Sequence, residues 1–288
     1  MKEKMDIYQI VTDQVIEALE EGIIPWKKTW NSIGGSHMNL ASKTGYRGMN
    51  PFLLEMVRRK NGYTHTKWGT FKQISAKGGK VNKGEKGTLV IFWKIIKKED
   101  VVDGEKQKSV FPILRYYKVW NIEQTDLPLP ELKEVELTLN EKIKNCEKII
   151  EDYEDMPEVL YGDPAYSPSL DKLYMPKIGE FESSEEYYAA IFHEMVHSTK
   201  HKTRLNRDEN SGISFFGSED YSKEELVAEM GACFLANKTG IENEVQSNQV
   251  AYIKGWLKKL KNDKKLLISA SGQSQRAVDY IEGIVKVY

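Results

Sequence analysis

The sequence predicts an α+β protein of two domains, residues 1–127 and 137–288, joined by a linker at 128–136. Three observations predict it. Two runs rich in β-branched and aromatic residues, GTLVIFWKIIKK and VFPILRYYKVWNI, flank a polar segment around 103–104 and read as an antiparallel hairpin. Beyond residue 137, helical periodicity dominates, with short strand-like pieces between prolines. Pro128 and Pro130 mark the boundary between the two patterns. The first domain is thus a small antiparallel sheet with helices, and the second is mainly helical with a small sheet.

Taken in order, Ile7, Ile10, Val11, Val15, Ile16 and Leu19 fall at helical spacing and predict an opening amphipathic helix that ends at Gly22. Residues 26–50 are rich in Gly, Ser and Asn and read as loop. A second helix is expected over 51–60, with Pro51 at its start and Arg58, Arg59 and Lys60 in its last turn, where cations suit the helix dipole. A third, short helix is expected over 70–76, before the hairpin. On the C-terminal side, 138–153 reads as an amphipathic helix. The segment 158–178, broken by Pro164, Pro168 and Pro176, reads as small strands and turns. A helix begins near Ser183 or Ser184, where Ser-Ser-Glu-Glu supplies an N-cap and acidic first turn. Two more helices are expected over 222–238 and about 246–261.

Charge is divided unevenly along the chain. Residues 1–130 hold 22 Lys and Arg against 14 Asp and Glu, whereas the remainder holds 20 against 29. A basic half and an acidic half suggest modules with different partners. The two cysteines, Cys146 and Cys233, form no CxxC pair and indicate neither a thiolate metal site nor a redox motif. No stretch approaches the length of a membrane span, and the N-terminus lacks the apolar core of a secretory signal, so a cytoplasmic protein without membrane partners is expected.

The chemistry concentrates at His193-Glu194-Met195-Val196-His197. Helix positions four apart share a face, so both imidazoles can reach one ion. Zinc suits such a pair, because a catalytic site needs three protein ligands and leaves a fourth position for water. Glu194 can face that water as general base. Imidazole and carboxylate ligands also accept Mn2+, Co2+ or Ni2+. A third ligand is expected from Glu225 or Glu229, one helical turn apart in EELVAE, with Glu224 expected to be solvated. The segment resembles the acidic helix of zincins of the glutamate-ligand type. That resemblance implies that Glu225 binds metal and Glu229 orients a histidine, and the reverse assignment stays open. His201 is a rival ligand, set roughly 80° around the helix from His193. Tyr221, Arg204 and Arg207 are candidate oxyanion partners.

In the basic half, lysines and arginines alternate with aromatic rings between Lys43 and Lys98. Phosphate-tracking cations and rings for base stacking are what single-stranded nucleic acid requires. The candidate contacts are Trp26, Trp30, Tyr46, Arg47, Asn50, Trp68, Lys72, Gln73, Lys80, Lys83, Lys86 and Lys94. Glycines beside them, at Gly48 and at Gly78-Gly79, would admit close backbone approach to a ligand. His37 and His65 are expected to face DNA or solvent. Of Phe92 and Trp93, adjacent on one strand, one is expected to point into the core.

Motifs in order along nearly the whole chain resemble the ArdC antirestriction family. They are GIIPWKKTW (22–30), GYRGMN (45–50), Trp68 with TFKQ (70–73), VNKGEKGT (81–88), YKVWNIEQT (117–125), YMP (174–176), FHEMVHSTKH (192–201), RLNR (204–207) and EELVAE (224–229). The resemblance implies an N-terminal domain that binds single-stranded DNA and a C-terminal zincin-like metallopeptidase domain. It also implies a mobile-element context, on plasmids or phages, and a protein substrate if the peptidase turns over. One position departs from the family pattern: Ser198 stands where an aromatic residue is expected.

Overall fold

The computed structural model describes residues 6–27, 36–102, 105–132, 137–207, 219–241 and 249–284. Helix α1 (Ile7–Glu20) is capped by Asp6, whose side chain accepts from the Gln9 amide at 3.2 Å, and it buries the stripe Val11, Val15 and Leu19. Strand β1 (Met38–Asn39) precedes α2 (Asn50–Asn61), which carries Pro51 in its first turn and ends at Gly62 in the left-handed region, φ 69°. After β2 (Lys67–Gly69), Thr70 and Gln73 form a capping box that starts α3 (Phe71–Ala76). The expected hairpin is present as β3 (Thr88–Val102) and β4 (Glu105–Asn121), paired antiparallel from Thr88↔Val119 to Val102↔Glu105.

Next come α4 (Leu139–Asp152) and the short strands β5 (Glu158–Tyr161), β6 (Ala165–Ser167) and β7 (Lys172–Met175). Helices α5 (Ser184–Ser198), α6 (Glu219–Thr239), α7 (Gln249–Asn262) and α8 (Leu266–Ile281) complete the described chain. The sheets run β1-β2-β4-β3 and β5-β7-β6, with β5 parallel and β6 antiparallel to β7. The fold is α+β, as expected.

Helix α8 is absent from the sequence expectations. Its residues Ser269, Ser271, Gly272 and Ser274 are weak helix formers, yet it buries Leu266, Leu267, Ile268, Ala277, Val278 and Ile281. Tertiary burial, rather than propensity, holds it helical.

One apolar cluster gathers residues from both ends of the chain: Val11, Val15, Trp26, Phe52 and Ile91 pack with Leu226, Phe234, Trp256 and Val278. The Phe52 and Phe234 rings lie 5.1 Å apart. Polar contacts reinforce this, with Arg47 ion-paired to Asp279 and the Gly48 amide donating to Gln275 Oε1 at 3.1 Å. A second, smaller core unites Leu54, Trp68, Val90 and Val119 around the sheet.

Candidate metal centre and basic surface

Helix α5 presents the HExxH motif. Its start is fixed by Ser183, which accepts from the Glu186 amide at 3.1 Å, and Glu185 and Glu186 supply first-turn negative charge. Its C-terminal carbonyls are met by the two arginines of the RLNR segment. Arg204 Nε donates to the Ser198 carbonyl at 2.7 Å, and Arg207 Nη2 donates to the Val196 carbonyl at 2.9 Å. Both guanidinium groups are also held by carboxylates, Asp171 for Arg204 and Glu224 for Arg207. They are therefore helix caps, not the oxyanion partners expected from the sequence. The side chain of Tyr221 lies outside the described residues.

Helix α6 brings the acids. Gly231 allows the close approach: a Cβ there would meet Val196 Cγ2 of α5 at 2.7 Å. With the helices in contact, His193 Nε2 and His197 Nε2 lie 3.0 Å apart, and Glu225 places Oε2 3.5 Å from His193 Nε2 and Oε1 3.5 Å from His197 Nε2. Ligand atoms around a tetrahedral ion with bonds near 2.1 Å are separated by roughly 3.3–3.4 Å, close to the distance from each histidine to its nearer Glu225 oxygen. Among the described residues these three form the single cluster of its kind, with all ligand atoms within 4.8 Å of one another. His201 turns away, its Nδ1 2.8 Å from Thr203 Oγ1.

Glu224 is not solvated as expected. Its Oε1 sits 3.3 Å from His197 Nδ1, and Arg207 binds both its oxygens at 2.8 and 3.0 Å. A carboxylate there fixes the proton on Nδ1 and leaves the Nε2 lone pair for an ion. Burial alone would raise the Glu224 pKa, but His197 and Arg207 hold it below the usual range. The opposite holds for Glu229, which burial pushes up despite donors from Tyr252 and Trp26. At His193, burial acts downward, but Glu225, Glu194 and Glu229 together lift the pKa. Glu194 is 8% exposed and makes no ion pair or side-chain hydrogen bond with the described residues. Ser198 is fully buried, donating to the Met195 carbonyl at 2.7 Å and pairing with the Tyr153 hydroxyl at 3.0 Å, so Tyr153 occupies space beside the small residue.

The basic half divides differently from the sequence expectation. Trp26 and Trp68 are fully buried. Trp68 donates its indole N–H to His37 Nδ1 at 3.0 Å, and His37 Nε2 meets Glu55 at 3.0 Å. An indole nitrogen only donates, so His37 Nδ1 is unprotonated and the ring is neutral. His37 and His65 are buried, neither facing solvent. Asn50 bonds both backbone groups of Ile91, at 2.9 and 2.8 Å, and Gln73 closes the α3 capping box and bonds Asn39. Tyr46 packs on the smaller core, and Arg47 is taken by Asp279. Gly79 serves packing, since a Cβ would meet Leu127 at 2.4 Å. Trp30 lies outside the described residues.

Lys72, Lys80, Lys83, Lys86 and Lys94 are exposed. Neither Phe92 nor Trp93 enters the core: they are 41% and 50% exposed, because the hairpin extends past the body that covers its base. Residues paired across the hairpin share a face, which puts Trp93 and Leu114 with Ile95 and Pro112 on one side. Phe92 with Arg115 and Lys94 with Ile113 occupy the other. With Tyr116 37% and Phe111 51% exposed, the arm carries rings on both faces and the cations Lys94 and Arg115 on the Phe92 face. The strand alternation signalled these rings, but only the length of the unsupported arm exposes them.

Residues 5–120 match the family described as the N-terminal domain of anti-restriction factor ArdC, and residues 145–273 match a zincin-like metallopeptidase family. A DNA primase TraC of Escherichia coli is 31% identical over 96% of this chain, which spans 27% of that protein's length. A second TraC from the same organism is 32% identical, with the chain spanning 20% of it. The uncharacterized protein y4eC of Sinorhizobium fredii is 30% identical over 96% of this chain and 91% of its own length. The crystal structure of the antirestriction ArdC protein from plasmid R388, in its metal-free form, superposes with a TM-score of 0.76. The two are 32% identical, covering 97% of this chain and 98% of that one. The Mn(II)-bound form of the same protein gives 0.75 at 30% identity.

Proposed function

This chain belongs to the ArdC antirestriction family, and from that premise we propose that it binds single-stranded DNA and protects a mobile element from restriction while carrying a divalent-metal peptidase-type centre. The observation that carries the metal part is the convergence of His193, His197 and Glu225, each offering a ligand atom within 4.8 Å of the others. The ion, zinc or another divalent metal such as Mn2+, would supply Lewis-acid polarisation of a carbonyl oxygen. The chain's own residues supply the rest. Glu224 and Arg207 keep the His197 proton on Nδ1. Glu194, the residue between the two imidazole ligands in the motif, accepts the proton of an attacking water and passes it to the leaving amine.

The DNA part is supported by the exposed hairpin rings Phe92, Trp93, Phe111 and Tyr116 with Lys94 and Arg115, and by the lysines at 72, 80, 83 and 86. Domain limits of 1–127 and 137–288 go with this reading as its two modules. Among the described residues no helix is long and apolar enough to cross a membrane. Titrating a labelled single-stranded oligonucleotide with the full chain at two salt concentrations tests the proposal. Salt-sensitive binding is expected, and no binding at either salt would end the DNA-binding reading.

A second reading, a peptidase acting on a host protein with DNA as the targeting element, is favoured by the buried Glu194 beside a three-donor set. A Glu194→Gln chain that retained every protective activity of the parent would exclude it.

A further inference from the structure

Helix α6 carries Glu229 one turn beyond Glu225, and this second acid is held from far along the chain. Trp26 donates its indole N–H to Glu229 Oε2 at 2.8 Å, and the Tyr252 hydroxyl of α7 donates to the same oxygen. The Trp26 nitrogen is also 2.9 Å from the Tyr252 oxygen, so the three side chains form a closed triad. Trp26 is fully buried, edge-on to Trp256 with ring centroids 5.8 Å apart, and Lys27 sits 4.0 Å from the Tyr252 ring centre. Glu229 lies four residues from Glu225 on the same face of α6, so what anchors Glu229 also fixes the turn that carries Glu225. A phenylalanine would fill most of the same apolar space but would lose the N–H that meets Glu229 and Tyr252.

We propose that Trp26 is a positioning residue of the metal centre, acting through Glu229, so that the affinity of the ligand set for a divalent cation depends on a residue from the N-terminal half. The inference rests on the metal reading of His193, His197 and Glu225. Partners that orient metal ligands typically contribute about 10- to 100-fold in affinity. The fold brings Trp26 against α6 because the helix α1 that precedes it packs on α7, which carries Tyr252 and Trp256.

The test is Zn2+ and Mn2+ affinity, measured by competition with a chromogenic chelator on the full chain and its Trp26→Phe, Glu229→Gln, double and Val11→Ala variants. Val11 lies in the same core and offers no polar group to the site, and its truncation controls for lost packing. Trp26→Phe is expected to weaken metal binding about 10- to 100-fold. The double variant should bind within about twofold of Glu229→Gln, since the two residues act in series. Val11→Ala should lower the melting temperature and leave affinity unchanged. Parent-like affinity of Trp26→Phe, or losses that multiply in the double variant, would overturn the inference while the metal reading stands. A parent chain that binds neither ion would overturn both.

Discussion

Arg207 closes on Glu224 with two guanidinium nitrogens, Nη1 to Oε2 at 2.8 Å and Nη2 to Oε1 at 3.0 Å, and the carboxylate so held faces Nδ1 of His197. Replacing Arg207 by Leu leaves a largely buried carboxylate without its cation and the Val196 carbonyl of α5 without this donor. The expected cost is about 3–5 kcal/mol of stability and about 10- to 100-fold in metal affinity. Urea unfolding and metal competition on one protein sample measure the two effects separately.

The α5–α6 contact depends on Gly231. Gly231→Ala forces its new methyl group against Val196 and should destabilise the chain by about 1–3 kcal/mol. Metal affinity should fall with it, because Glu225 moves with α6. Adding Val196→Ala makes room for the methyl and is expected to recover most of both losses. A double variant no better than Gly231→Ala alone would show that the close approach is not what limits the site.

Acid sensitivity should centre on Glu55. Burial would raise its pKa, but His37, Arg58 and Arg59 hold it at about 2, against an ordinary 4.5. Its folded pKa lies below the unfolded one, so its contribution is complete above pH 4.5 and is lost as pH falls toward 2. That contribution is on the order of 3 kcal/mol. Burial lowers the pKa of His37, which adds a loss beginning as pH drops below the ordinary histidine value. Unfolding free energies from pH 7 to 3 should fall steeply for the parent. The fall below pH 4.5 should flatten in Glu55→Gln, which starts from a lower stability.

Trp93 and Trp68 separate binding from folding. Trp93→Ala on the exposed arm should weaken single-stranded DNA binding by about 1–3 kcal/mol with the melting temperature nearly unchanged. Trp68→Phe removes the donor to His37 and should lower the melting temperature without changing DNA affinity. Lys94→Ala should reduce the salt slope of binding by about 0.7. Anisotropy titrations paired with thermal melts distinguish the two kinds of tryptophan.

Much of the secondary structure was legible because each element carries a local signal. Asp6, Thr70, Thr138 and Ser183 all cap the helices they precede, and the hairpin alternates as a strand pair should. Helix α8 was not legible, since its serines and glycine argue against a helix that burial against α5 and α6 sustains. Among the aromatic residues, composition could not distinguish Trp26, buried against Glu229, from Trp93, carried on an open arm. Glu224 and Glu225 are neighbours on one helix, and no spacing rule said that both would face histidines.

By itself the sequence determined the HExxH helix, because a four-residue spacing places His193 and His197 on one face wherever that helix goes. It also determined the family, through motifs spread along the chain. Tertiary structure alone decided which arginines cap the motif helix and which tryptophans are buried, and it set Glu225 rather than Glu229 beside the two histidines. Those outcomes depend on how close α6 comes to α5 and on where α1 leads the chain. Gly231 against Val196 and Trp26 against Glu229 express that packing. Contacts between residues so distant in sequence are selected by the shape of the whole core, which no local pattern encodes.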